Sequence, residues 1–215
     1  VTHWQFHYPK RLAFYPPDFE DPGLGGSEAS LVVLTRALAR RGHRVEVFNS
    51  CYKPGDYDGV CWRMSWEFHD AVTPDVAVAV RFDEALWPVS TTVRRQLFWM
   101  LDDRPRGPAA FMKHFGDRGG TVVVASHAME RRLAAADVRT RAVRIPLPIE
   151  TRRYLLDRPR ALACLYSSMP NRGLDVLLSI WPRIRSQVPE AELWVTNGWQ
   201  LWGFTKSHNV SFYDT

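Results

Sequence analysis

The sequence predicts an α/β protein whose parallel sheets are flanked by helices and arranged in two successive units, the second incomplete. Three observations carry this. Short apolar segments alternate with helix-periodic ones from Arg11 onward, the pattern of a doubly wound parallel sheet. A glycine-rich loop, Gly23-Leu24-Gly25-Gly26-Ser27, separates the first apolar segment from the first helix. The pattern restarts beyond Pro146–Pro159, rich in proline and arginine, as linkers between domains are. The expected division is a Rossmann-like domain over 1–146, a linker over 147–158 and a partial Rossmann-like domain over 159–215.

Each element has its own signal. Leu12–Tyr15, apolar and closed by Pro16-Pro17, reads as the first strand. Ser27 is placed as N-cap of a helix through about Arg41, with Leu31, Leu34 and Leu38 on one face. Gly42 stops it, and Val45–Phe48 is the second strand. Cys51–Arg63 is polar, with turns at Lys53-Pro54-Gly55 and Tyr57-Asp58-Gly59, and fits a small hairpin. Val76–Val80, Gln96–Leu101, Thr121–Ala125 and Val143–Pro146 supply four further strands, making about six. Ala109–Phe115 and His127–Ala136 are intervening helices. Past the linker, Ala161–Tyr166 is a strand, and Leu174, Leu177, Trp181 and Ile184 mark a helix that Pro182 should bend. Glu192–Thr196 and Asn209–Tyr213 read as the last strands, and Trp194, Trp199 and Trp202 as core or domain-closing residues.

Composition narrows the function. Hydrophobic residues make up 46% and charged residues 24% of the 215, which excludes a disordered or collagen-like chain. No window approaches eighteen uninterrupted apolar residues, so no spanning helix is expected. Val1–Lys10 is aromatic and polar, without the apolar run of a secretory signal. Cys51, Cys61 and Cys164 form no C-x-x-C pair, so a reduced, cytoplasmic protein without a metal site is expected. The net charge of +5 comes from 24 arginines and 4 lysines scattered along the chain. No nucleic-acid partner is expected, though anionic substrates or lipid headgroups would be modestly attracted.

The first loop decides which nucleotide chemistry fits. A glycine loop at a helix N-terminus offers backbone N–H groups and the helix dipole to an anion; the alternative is a tight turn with no ligand. From Gly23, the third glycine of G-x-G-x-x-G falls on Glu28, and Asn49-Ser50 stand where a ribose-binding acid belongs. An NAD-dependent enzyme is therefore disfavoured, and no G-x-x-x-x-G-K-[ST] is present. No cofactor is expected.

Gly25-Gly26-Ser27-Glu28, with the helix running into Arg40-Arg41-Gly42-His43 and strand two, resembles the opening of the retaining glycosyltransferases of family four. Leu165-Tyr166-Ser167-Ser168 with Asn171-Arg172-Gly173-Leu174 is similar to the start of their donor domain, and Arg144-Ile145-Pro146 to their pre-linker segment. The resemblance implies a GT-B-like fold, two Rossmann-like domains facing across a cleft, lacking here the C-terminal part of the donor domain. It implies transfer of a sugar from a nucleotide-sugar to a sugar, lipid-linked or other glycan acceptor, with retention of configuration. Localisation would be cytoplasmic, with peripheral contact at the inner face of the membrane. Gly25, Gly26 and Ser27, with Ser168, Asn171 and Arg172, would line the donor phosphates, Arg172 meeting the diphosphate. The alternative is a non-catalytic relative or fragment that binds a glycan or a partner.

The chain departs from the family at three points. Tyr166-Ser167-Ser168 replaces an expected second basic residue, and Leu101 stands near the expected histidine, leaving Asp102 and Asp103 as the polar pair. These either orient or deprotonate an acceptor hydroxyl or cap the next turn. The E-x7-E motif would lie beyond Thr215. Arg81, at the end of the third strand, and Ser126-His127 are further cleft candidates, the latter alternatively a plain helix cap.

Overall fold

Strand β1 (His3–Tyr8) is the axis around which the first sheet is laid. It pairs in parallel with β2 (Arg44–Asn49) on one side and β5 (Val76–Val80) on the other, with Phe6 opposite Val47 and Val78. A computed structural model describes residues 1–9, 13–21, 23–70, 72–82, 93–102, 109–135, 140–154, 161–168 and 170–196. The chain divides into two compact units, Val1–Ile149 and Glu150–Thr215.

The first strand is therefore not Leu12–Tyr15. Leu12 lies outside the described residues, and residues 13–15 are irregular, with Phe14 buried and Tyr15 leading into a 3₁₀ turn over Pro16–Phe19. The true signal is the period-two alternation of His-Trp-Gln-Phe-His-Tyr. Trp4, Phe6 and Tyr8 face the core under α1 (Gly26–Arg40), where Leu31 and Val32 are fully buried. Each such aliphatic side chain stabilises by about 2 kcal/mol. His3, Gln5 and His7 face the opposite side, where polar partners await them and His7 stacks on Phe68 at 4.4 Å.

The sheet has eight strands rather than six, in the order β3-β4-β2-β1-β5-β6-β7-β8. The hairpin region supplies the extra pair: β3 (Gly55–Tyr57) runs antiparallel to β4 (Val60–Met64), and β4 joins the sheet parallel to β2. β6 (Arg95–Trp99), β7 (Thr121–Val124) and β8 (Arg141–Arg144) complete the other side, with α2 (Ala109–Asp117) and α3 (His127–Ala135) between them. Gly42, at φ +80°, ends α1 in a Schellman motif: its N–H meets the Ala39 carbonyl and the His43 N–H meets that of Leu38.

The second unit is a β–α–β element. β9 (Ala163–Ser167) and β10 (Glu192–Thr196) pair in parallel, joined by α4 (Leu174–Gln187), which runs unbroken through Pro182. Leu174 and Ala191 are buried, whereas Leu165 and Trp194, opposite one another in register, are exposed. The expected strand Asn209–Tyr213, Trp199 and Trp202 lie outside the described residues.

One polar cluster keeps the far face of the sheet together. Glu46 on β2 is buried and accepts from His3 Nε2 at 2.7 Å, Gln5 Nε2 at 2.8 Å and Arg44 Nη2 at 3.0 Å. Burial alone raises the Glu46 pKa, but the bonds from Gln5, His3 and Arg44 outweigh it and hold the carboxyl below its usual value. A depressed folded pKa contributes stability above the unfolded value and loses it as pH falls through the folded one. Denaturant unfolding of Glu46→Gln at pH 7 should show a loss of about 2 kcal/mol. The gap to wild type should close as both are titrated below about pH 4.

Candidate functional site at the strand-order reversal

From β1 the chain passes to β2 and outward to β3, then returns across β1 to β5 and outward to β8. The order therefore reverses between β1 and β5, and open α/β sheets bind ligands beyond the carboxyl ends of the strands at such a reversal. Four side chains converge there: Tyr8 ends β1, Glu28 sits in the first turn of α1, Arg81 follows β5, and Asp102 follows β6.

Arg81 joins them. Its Nε and Nη2 donate to Asp102 Oδ2 at 3.1 Å and Oδ1 at 3.3 Å, the two-pronged geometry that a guanidinium makes with a carboxylate. Its Nη1 lies 3.5 Å from the Tyr8 hydroxyl and 3.8 Å from Glu28 Oε1. Tyr8 in turn donates to Glu28 Oε1 at 2.6 Å. Tyr8, Glu28 and Arg81 are all more than nine-tenths buried. Burial, with the Glu28 carboxylate beside it, pushes the Tyr8 phenol far up, so it remains a donor. Burial pulls the Arg81 guanidinium down, and its bonds to Asp102 and Tyr8 more than reverse this, so it stays charged.

The backbone is bent to make this possible. Arg81 has φ +66°, and the Phe82 N–H bonds the Val80 carbonyl at 2.7 Å, while Arg81's own N–H holds the Trp99 carbonyl at 2.8 Å. A three-residue turn at positive φ is rare and strained, and such strain persists only where the surroundings impose it. Here the turn swings the guanidinium between Asp102 and Glu28.

The glycine loop has an internal explanation. Gly25, not Ser27, is the N-cap of α1, and no side chain caps that end. A Cβ on Gly25 would stand 2.6 Å from Glu28 Oε2, whereas one on Gly26 would meet nothing within 4 Å. The Glu28 carboxylate thus folds back against Gly25 and brings negative charge to the helix N-terminus, where the dipole favours it.

The remaining candidates are placed as follows. Asp103 lies outside the described residues. Ser126 Oγ accepts from the Met129 N–H at 3.3 Å, a cap on α3. His127 is exposed and meets Arg144 Nη1, with its Nε2 at 2.6 Å, and Glu130 Oε2 lies 3.6 Å from both side chains. In the second unit Ser168 precedes a 3₁₀ turn over Pro170–Arg172, with Asn171 and Arg172 exposed. Gly173, at φ +99°, is the N-cap of α4. Sequence reasoning singled out Arg81 and Asp102 but missed Tyr8 and Glu28. Glu28 was named as the residue displacing a third glycine and as the last of the Gly25-Gly26-Ser27-Glu28 motif, but given no role of its own. Among the described residues no group of three or more His, Cys, Asp or Glu is placed to hold a metal ion, and no helix is long and apolar enough to cross a membrane. No protein-family model matches the chain, and no curated protein does.

The contact at Gly25 is directly testable. Its φ of −63° suits alanine, so beyond the poorer capping by alanine the cost of Gly25→Ala comes from the Glu28 carboxylate, which Tyr8 holds in place. Thermal denaturation should register a loss of about 1–3 kcal/mol. The same change in a Glu28→Ala background should retain only the capping loss, about 1 kcal/mol or less.

Proposed function

We propose that this chain carries the acceptor-side domain and the start of the donor domain of a retaining glycosyltransferase that uses a nucleotide-sugar. The observation that carries the reading is Asp102, held by Arg81 beyond the carboxyl end of β6, one strand from the sheet's reversal. The order of the Gly25-Gly26-Ser27-Glu28 and Ser168-to-Gly173 motifs, in two α/β units, supports it.

The chemistry needs an acceptor hydroxyl brought to the anomeric carbon and a diphosphate stabilised as it leaves. Arg81, by gripping both oxygens of Asp102, fixes the plane of a carboxylate that orients the hydroxyl. Glu28 at the α1 N-terminus repels a phosphate there, so the Gly25–Ser27 loop serves the acceptor. The leaving diphosphate falls to Arg172 with Ser168 and Asn171, and the exposed guanidinium forms charge-assisted bonds to it. On this reading the acceptor is a sugar, lipid-linked or other glycan, the protein works in the cytoplasm at the inner face of the membrane, and the chemistry needs no cofactor.

Calorimetric titration with UDP, GDP and ADP tests the donor half. Arg172→Ala should weaken the preferred diphosphate about tenfold or more, since each charge-assisted bond contributes roughly 1.5–3 kcal/mol. Arg172→Lys should recover part, and the matching nucleoside should bind all three proteins equally. A nucleoside weakened as much as its diphosphate would assign Arg172 to the fold. Asp102→Asn should slow donor turnover to acceptor by roughly 10²–10⁴ with diphosphate affinity intact.

A further inference from the structure

On the outer strands of the first sheet three tyrosines gather: Tyr15 from the loop after β1, Tyr52 from the turn after β2, and Tyr57 at the end of β3. Tyr15 meets Tyr52 edge-on with centroids 4.7 Å apart, and meets Tyr57 likewise at 5.7 Å. Their hydroxyls are tied. Tyr52 donates to Asp18 Oδ1 at 2.5 Å, Tyr57 donates to the Lys53 carbonyl at 3.0 Å, and Tyr15 accepts from Lys53 Nζ at 3.4 Å. Asp18 is buried, and its second oxygen accepts the Tyr15 N–H at 3.0 Å. Beneath them Asn49 Nδ2 holds the Phe14 carbonyl at 2.9 Å, and Phe14 packs edge-on against Tyr8. The Lys53 ammonium stands 5.0 Å from the Tyr15 centroid and 5.9 Å from that of Tyr52.

This arrangement differs from a core cluster in one respect. The rings are fixed through their hydroxyls, yet Tyr52 keeps 50% of its surface in water. A phenol used in chemistry would present its hydroxyl; here the hydroxyls are occupied, Tyr15 and Tyr57 are half-buried against the core, and Tyr52 carries the exposed surface. Rigid tyrosine rings supply broad amphipathic contact at little entropic cost, and prior ordering removes much of the cost of binding. A pyranose is the complementary shape: one face carries C–H groups that lie on an aromatic ring, and its edge carries hydroxyls within reach of the adjacent ammonium. Perpendicular rings form a corner for such a puckered ring, whereas a flat nucleobase is better held in a parallel slot.

We propose that Tyr15, Tyr52 and Tyr57, with Lys53, form a carbohydrate-binding corner that takes a neutral pyranose unit of a glycan. It deepens the glycosyltransferase reading by naming an acceptor subsite on the sheet that carries Asp102, three strand positions along from β6 at β2, and it rests on that reading only for its role, not for its ligand.

Saturation-transfer NMR on the full chain with methyl gluco-, manno- and galactopyranosides tests it, with uridine and adenosine as competing probes. At least one pyranoside should receive saturation, strongest on the ring C–H protons of one face. Tyr52→Ala should weaken it tenfold or more and Tyr52→Phe should largely keep it. Lys53→Met should weaken it severalfold, and Arg172→Ala should leave it unchanged. Both Tyr52 variants take a donor from the buried Asp18 carboxylate, so both should lower the melting temperature, and the contrast in binding between Tyr52→Ala and Tyr52→Phe isolates the ring. Transfer to no pyranoside, transfer undiminished in Tyr52→Ala, or transfer to the nucleosides in place of the sugars would overturn the proposal. Intact diphosphate binding with no pyranoside binding would fail this corner alone; pyranoside binding without diphosphate binding would fail the donor reading alone.

Discussion

The first unit is organised at its carboxyl edge by one guanidinium set among two carboxylates and a phenol. Removing Arg81 from water is costly, and so is removing Glu28; neither would persist buried without the other groups. The fork to Asp102 and the Tyr8–Glu28 bond answer that cost, and they do so across β1, α1, β5 and β6 at once. Local features that look unrelated depend on it: the positive φ at Arg81, the glycine at position 25, and the absence of a side-chain cap on α1. Replacing the whole set by apolar residues of similar volume should give an equally stable sheet edge, since buried ion pairs contribute little net stability. That a strained turn holds a charged set here is a reason to look to function.

The opposite face shows the same physics at lower stakes. Gln5 and His3 place polar groups under a parallel sheet, where strands are normally apolar throughout. Glu46 gathers them, and the cluster sits where each strand enters the sheet rather than where it leaves. The carboxyl edge thus carries the groups that can meet a ligand, and the entering edge carries those that lock β1 to β2.

Regular apolar strands were legible. Val76–Val80 and Glu192–Thr196 have the bounds that composition and turn signals indicate, and α1 starts two residues earlier and ends one residue earlier than expected. β1 was not, because its polar residues hide an alternation whose partners, Glu46 and Phe68, lie some forty and sixty residues away. Strand Leu12–Tyr15 was the converse error: an apolar run whose Phe14 is buried from a loop rather than from the sheet. At the site, Arg81 and Asp102 followed from their place at strand ends. Tyr8 could not be found once β1 was missed, and Glu28 reads as an ordinary first-turn acid until the carboxylate is seen folded against Gly25.

Arg81 and Asp102 act as one unit at the strand-order reversal. A double-mutant cycle with Arg81→Met, Asp102→Leu and both together, followed by denaturant unfolding, measures it most directly. Each single change should cost about 3 kcal/mol or more, and the double variant should recover part of the summed loss, with Glu28 still lacking the guanidinium, for a coupling of roughly 2 kcal/mol or above. Additive losses with coupling under about 0.5 kcal/mol would contradict it.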